Sequence, residues 1–229
     1  MTVITVAVRH VINATPRTRI LSLDFRTHSF AYTAGQAVMI GLHGSVLRKP
    51  YSIASAPWEV EKSGVMQVLV QIEDSGLDPH LELAAPGTLL DIEGPFGAFT
   101  MPGAPGPLLF VAGGTGIAPL RSIIMERLAR PSAPPMVLVY SARSPEEFAF
   151  RAELEALMAA NRITTHFTVT RDEKWTGRRG RIDKQLLKDA LPSPDSHCYV
   201  CGPPQLVSDA ANLLRAIGVQ ENQIQIEKY

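Results

Sequence analysis

The residue pattern changes period near position 104, and its two halves ask for different architectures. Before that point, apolar residues alternate in short runs: Ile4, Val6 and Val8, then Arg19–Leu23, then Gln67–Gln71. Gly, Pro and Asn separate these runs at short spacing, the pattern of an antiparallel barrel of about six strands. One short helical stretch is expected near His80–Ala84. After Met101–Pro107, a linker by composition, apolar strands at Leu108–Ala112, Met136–Tyr140, Ile163–Thr170, Cys198–Cys201 and Ile224–Ile226 alternate with amphipathic helices. That alternation implies a doubly wound parallel sheet. The expected domains are residues 1–102 and residues 103–229.

Size and charge exclude several function classes. The 229 residues, 45% of them apolar, suffice for two domains with a core each. Lys plus Arg (22) balance Asp plus Glu (22), so no long-range field favours nucleic acid or an anionic membrane. No signal-peptide pattern opens the chain, and no apolar run approaches the ~18 residues of a membrane span. The expectation is a soluble, cytoplasmic protein. Cys198 and Cys201 are the two cysteines, too few for a disulfide framework or for a cluster needing about four thiolates. No metal site is expected, and a redox role would need an organic cofactor.

Phe110-Val-Ala-Gly-Gly-Thr-Gly-Ile-Ala-Pro119 runs an apolar strand into Gly113, Gly114 and Gly116, with Pro119 near the start of a helix carrying Leu120, Ile123, Ile124 and Leu128. Small residues at such a turn let a phosphate approach backbone N–H groups at a helix end. A tight strand-to-helix turn requires glycine for steric reasons as well, so spacing alone serves both readings. Ser144-Pro-Glu-Glu147 carries a capping signature and predicts a helix over 145–159, with Phe150, Leu154, Leu157 and Met158 on one face.

Further motifs follow in order. Arg48-Lys-Pro-Tyr-Ser-Ile-Ala-Ser55 and Gly94-Pro-Phe-Gly-Ala-Phe99 lie in the first half. Gly113–Pro119, Thr170-Arg171 with Trp175-Thr-Gly-Arg-Arg-Gly180, Cys201-Gly-Pro-Pro204 and the terminal Glu227-Lys-Tyr229 lie in the second. Together they resemble the ferredoxin-NADP reductase superfamily over nearly the whole chain. The resemblance implies a barrel that binds FAD, or FMN, and an α/β domain that binds NAD(P)H.

By that resemblance, flavin contacts fall on Lys49, Pro50, Tyr51, Ser52, Leu69, Val70, Gln71, Gly76, Leu77 and Asp78. Tyr51 would stack on the flavin ring and Ser52 would stand near N5; Tyr51 in isolation reads rather as a strand aromatic, but not inside this stretch. The dinucleotide would lie on Gly113, Gly114, Thr115, Gly116, Pro119, Gly202 and Pro203. Arg143, Thr170 and Arg171 would reach its adenosine end, each arginine being also readable as a solvated loop charge. Cys201 would shape the nicotinamide pocket, while Cys198, on the opposite strand face by period-two counting, reads as core. Tyr229 would cover the flavin and yield to nicotinamide, and Glu227 would relay a proton, with Ser52, Cys201, Glu227 and Tyr229 forming the catalytic set. Two positions depart from the family pattern. Lys49 stands where the family has Arg, with Arg48 displaced by one, and Asp78 falls near a hydroxyl slot.

The activity so implied is electron transfer between NAD(P)H and a separate redox protein, a ferredoxin or flavodoxin, through FAD. Two alternatives remain: an electron-transfer component of a larger oxidoreductase, and a flavin-poor interaction module. The basic stretch Arg171–Lys184 suits an acidic carrier or a 2′-phosphate, and equally an ordinary charged loop.

Overall fold

Alternating burial shapes the first half. The computed structural model describes residues 3–72, 81–101, 103 and 106–229. Six strands, β1 Val3–Thr15, β2 Thr18–Asp24, β3 Ala37–Leu42, β4 Lys49–Ser52, β5 Val65–Gln71 and β6 Leu89–Phe96, pair antiparallel in the order β4-β3-β6-β1-β2-β5. Inward residues such as Val6, Val8, Leu21, Val38, Ile40 and Ile92 are 2% exposed or less and form one core. Just past β4, the outer strands approach through an Ile53–Val68 bridge, an Ala54 N to Gln67 O bond of 2.8 Å and a Gln67 N to Ser55 Oγ bond of 2.9 Å. Beyond that bridge no ladder joins Lys49–Ser52 to Leu69–Gln71 among the described residues, so the barrel wall stays open there.

The second half is the expected parallel sheet. Strands β7 Leu108–Gly113, β8 Met136–Ala142, β9 Thr164–Val169, β10 Arg178–Arg179, β11 His197–Gly202 and β12 Ile224–Lys228 run in the order β10-β9-β8-β7-β11-β12. The barrel half carries helix α1, Pro57–Ser63; the sheet carries α2 Ile117–Leu128, α3 Arg151–Ala159, α4 Lys184–Ala190 and α5 Pro204–Ala216. Phe110, Leu138 and Tyr140 pack with α2 and α3 on one face, while Leu109, Val111 and Val139 pack with α4 and α5 on the other. Cys198 and Cys201 sit in these two different cores, as the period-two count predicts. From β7 the chain builds outward to β8 and β9 and later returns beside β7 as β11, so the order reverses between β7 and β11. Their carboxyl ends, Gly113 and Gly202, therefore open on the crevice where such sheets bind ligands.

The expected helix over 145–159 is corrected. Pro145–Glu147 form only a 3-10 turn, Phe148 is extended, Phe150 is left-handed at φ 59°, and α3 begins at Arg151. Core burial overrides the local signal: Phe148 and Ala149 are 3% and 1% exposed, and Phe148 packs edge-on against Tyr140 and Phe167. The Ser144 hydroxyl donates to the Glu146 carboxylate instead of capping a helix. Near His80–Ala84 a 3-10 turn spans Leu81–Leu83, with His80 outside the described residues. Helix α1 has no counterpart among the sequence expectations.

Candidate active site

Steric need accounts for two of the glycines at the crevice. A Cβ on Gly116 would lie 2.3 Å from the Cys201 carbonyl oxygen, and one on Gly202 only 3.1 Å from the Gly113 backbone. Those two positions are required by the close approach of β7 and its Gly114–Gly116 turn to β11. Gly114, at φ +54°, is exposed, and its carbonyl is fixed by the Tyr140 hydroxyl at 3.0 Å. Pro119 is buried in the first turn of α2 and does not line the crevice.

A cavity of about 430 Å³ opens between the two halves of the chain. It brings together the expected Leu69, Gln71, Gly113, Gly114, Thr115, Arg143, Thr170, Arg171, Pro203 and Tyr229. Sequence reasoning missed Arg17, Glu147, Gln205 and Asp209 on the same wall. Arg17 comes from the β1–β2 turn, held by its N–H on Thr15 Oγ1 and by its carbonyl on Ile72 N. The side chains of Arg17, Arg143, Arg171 and Arg181 make no hydrogen bond or ion pair among the described residues. Elsewhere Arg151, Arg178 and Arg215 are engaged by Glu155, Asp183 and Glu221. Four uncommitted guanidinium groups against Glu147 and Asp209, the latter also accepting from Gln205, give the cavity an excess of positive potential for a polyanion.

On the barrel side, Tyr51 and Ser52 are half-buried on β4, opposite Val38 and Ala37 of β3. Tyr51 packs on the rim of the barrel core beside exposed Pro50 and half-buried Lys49. Arg48 turns to Asp91 and Glu93, at 3.7 and 3.8 Å. Hydrogen bonds from His43, Thr5 and Gly44 hold Asp91 down at about 2, so it is a permanent anion for Arg48. Val70 turns its side chain into the core, while Leu69 and Gln71 face the cavity. Gly76, Leu77 and Asp78 lie outside the described residues.

The β11–β12 register places Cys201 opposite Glu227. Burial and the Glu227 charge push the Cys201 thiol up, so it is a neutral, compact group, with Sγ 4.0 Å from Glu227 Oε2. Burial pushes the Glu227 carboxyl up to about 7. Tyr229 donates its hydroxyl to Gly113 O at 2.7 Å and stands over Gly114, its ionisation suppressed by burial. A carboxyl that titrates near neutrality beside a neutral thiol and a phenol can hold or release a proton; it offers no thiolate nucleophile. Ser52 makes no hydrogen bond to these three among the described residues.

Comparison with known proteins covers both halves of the chain. Residues 4–101 match the oxidoreductase FAD-binding domain family and residues 110–212 the oxidoreductase NAD-binding domain family. The chain is 34% identical over 213 residues to ferredoxin–NADP reductase B of Sorangium cellulosum, covering 88% of this chain and 86% of that protein. It is 31% identical over 171 residues to NADH-cytochrome b5 reductase 2 of Scheffersomyces stipitis, covering 71% of this chain and 56% of that relative. Among solved structures, a ferredoxin NADP+ reductase from Neisseria gonorrhoeae with bound FAD and NADP superposes with a TM-score of 0.82 at 22% identity, over 100% of this chain and 99% of that one.

The open barrel wall between β4 and β5, edged by unladdered backbone, fits a planar ring with hydrogen-bonding edges, and the arginine-lined cavity fits a dinucleotide. Among the described residues no cluster of His, Cys, Asp and Glu is placed to hold a metal ion, and no helix is long and apolar enough to cross a membrane. The chain belongs to the ferredoxin-NADP reductase family and is an FAD-dependent oxidoreductase that uses NAD(P)H.

Proposed function

We propose that this protein takes electrons from NADPH and delivers them to a separate small redox protein of the ferredoxin or flavodoxin kind. The observation that carries the choice of NADPH is the set of four uncommitted arginines, Arg17, Arg143, Arg171 and Arg181, in one cavity. A dinucleotide with an additional phosphate gives such a set more to bind than NADH does. Ferredoxin–NADP reductase B is the relative at 34% identity, which supports a protein acceptor.

The division of labour follows residues 1–102 and 103–229. Bound on the barrel, FAD would accept a hydride at N5 and release electrons singly. Lys49 would neutralise its phosphate as a point charge, Pro50, Tyr51 and Ser52 would flank the ring, and Leu69, Val70 and Gln71 would meet its edges. Gly113, Gly114, Thr115 and Pro203 line the cavity and would let the dinucleotide backbone approach, Gly116 and Gly202 would shape the turn behind them, and Arg143, Thr170 and Arg171 would orient it. Tyr229 would screen the reacting faces from water and give way to nicotinamide, and Glu227 beside Cys201 would hold a proton near neutral pH.

The test is steady-state kinetics with NADPH and NADH in parallel, followed by addition of ferredoxin or flavodoxin. NADPH is expected to give the higher kcat/KM, with electrons passing to the carrier; an NADH preference would refute the arginine argument. A second reading, a component of a larger oxidoreductase, is favoured by Val46 and Leu47, 92% and 59% exposed on the β3–β4 turn. Leu89, whose carbonyl accepts from His43 N, stands at that same barrel end. Co-purification of a partner that protects this turn would support it.

A further inference from the structure

The geometry points to Arg121 as the positioning residue that sets the approach of the dinucleotide to the flavin. It lies in α2, five residues after Gly116, yet reaches the barrel. Nε and Nη2 grip Glu153 at 2.7 Å each, Nη1 and Nη2 grip Glu59 at 2.9 and 3.0 Å, and Nη1 also donates to Ala54 O at 2.8 Å. All five N–H groups of the guanidinium are thereby used. The residue is 6% exposed, with the Phe150 ring centroid 5.1 Å from Cζ.

The partners matter more than their number. Glu153 and Phe150 belong to the same half as Arg121, whereas Glu59 and Ala54 belong to the barrel, Ala54 two residues after Ser52. Two further bonds continue the seam: Ser122 Oγ to Ser55 O at 2.6 Å and Trp58 Nε1 to Met125 O at 3.1 Å. Residues 121, 122 and 125 of one helix are thus stitched to residues 54, 55 and 58 of one barrel segment. At one end of that helix lies the Gly113–Gly116 turn; at one end of that segment lies Tyr51–Ser52. Because the seam joins the bases of both sites, its geometry fixes how nicotinamide meets the flavin ring. A buried cation between two carboxylates is a costly way to gain stability alone, and an apolar contact would hold two domains as well. Its directional, bidentate fork instead defines one relative placement. This inference rests on the assignment of those two segments to the two cofactors.

The experiment compares Glu59→Gln, which weakens the arm across the seam, with Glu153→Gln, which weakens the arm within one half. Each FAD-loaded protein is mixed anaerobically with NADPH carrying hydrogen or deuterium at the transferred position. Glu59→Gln is expected to slow flavin reduction about 10-fold with a fully expressed isotope effect, since small misplacements of reacting atoms are amplified in rate. Its nucleotide Kd should stay within about twofold, because the cavity arginines are untouched. Glu153→Gln should lower Tm comparably and leave the reduction rate within about twofold. Ser122→Ala, which deletes a single cross-seam bond, supplies the same test if Glu59→Gln does not fold. Equal rate changes in Glu59→Gln and Glu153→Gln, or none in the cross-seam variants, would overturn the inference. Failure of the unsubstituted protein to reduce its flavin would instead overturn the assignment of the two sites.

Discussion

Glu227 offers the most quantitative consequence of the site. Burial shifts its ionisation from the usual 4.5 to about 7. The folded chain therefore binds more protons than the unfolded chain between those values, and stability falls as pH rises across that window. At full expression the difference is about 3 kcal/mol. Glu227 keeps partial contact with solvent, and screening reduces the expected loss to about 1–2 kcal/mol. Glu227→Gln keeps the shape and removes the charge. Urea denaturation of FAD-saturated protein at pH 5, 7 and 8.5 should show the variant matching the parent at the acid end, where Glu227 is protonated. At the alkaline end it should be about 1–2 kcal/mol more stable than the parent. The apparent ionisation near 7 in the pH profile of flavin reduction should disappear in the same variant. A constant offset at all three pH values, or a variant weaker than the parent at the alkaline end, would show that Glu227 is held charged and would refute the argument.

Arg17→Ala should raise the KM for NADPH about 5- to 10-fold with kcat nearly unchanged, since an exposed charge-assisted contact contributes about 1–1.5 kcal/mol. KM for NADPH should also rise between about 20 and about 200 mM salt, more steeply than KM for NADH, if the four arginines act through charge. Gly116→Ala places a Cβ 2.3 Å from the Cys201 carbonyl, which is backbone and cannot yield. It should cost more than about 2 kcal/mol in chemical denaturation and abolish nucleotide binding.

What was legible in the sequence is what local periodicity controls. Strict alternation in β11 placed Cys198 and Cys201 on opposite faces, and the structure puts them in separate cores. The change of period near residue 104 separates an antiparallel from a parallel sheet, because side-chain alternation and strand–helix alternation are both short-range signals. Helix 145–159 failed in its first turns because Phe148 and Ala149 gain more by entering the core than Ser144 gains by capping. Arg17 was invisible for a different reason: a turn residue beside Pro16 carries no pattern, and only the docking of the hairpin against the second half gives it a role. Arg121 sits among apolar helix residues as an apparent exception. Its meaning depends on Glu59 and Ala54, more than sixty positions away. Positions carried by a local motif were readable, whereas Arg17 and Arg121, whose roles depend on contacts between the two halves, were not.

The most direct test of the hydride path across the crevice is an anaerobic absorption titration of the purified protein. The expected result is a flavin spectrum that heat releases as FAD, bleached by one equivalent of NADPH. A protein that cannot be loaded with flavin, or a bound flavin that neither NADPH nor NADH reduces, would contradict that path.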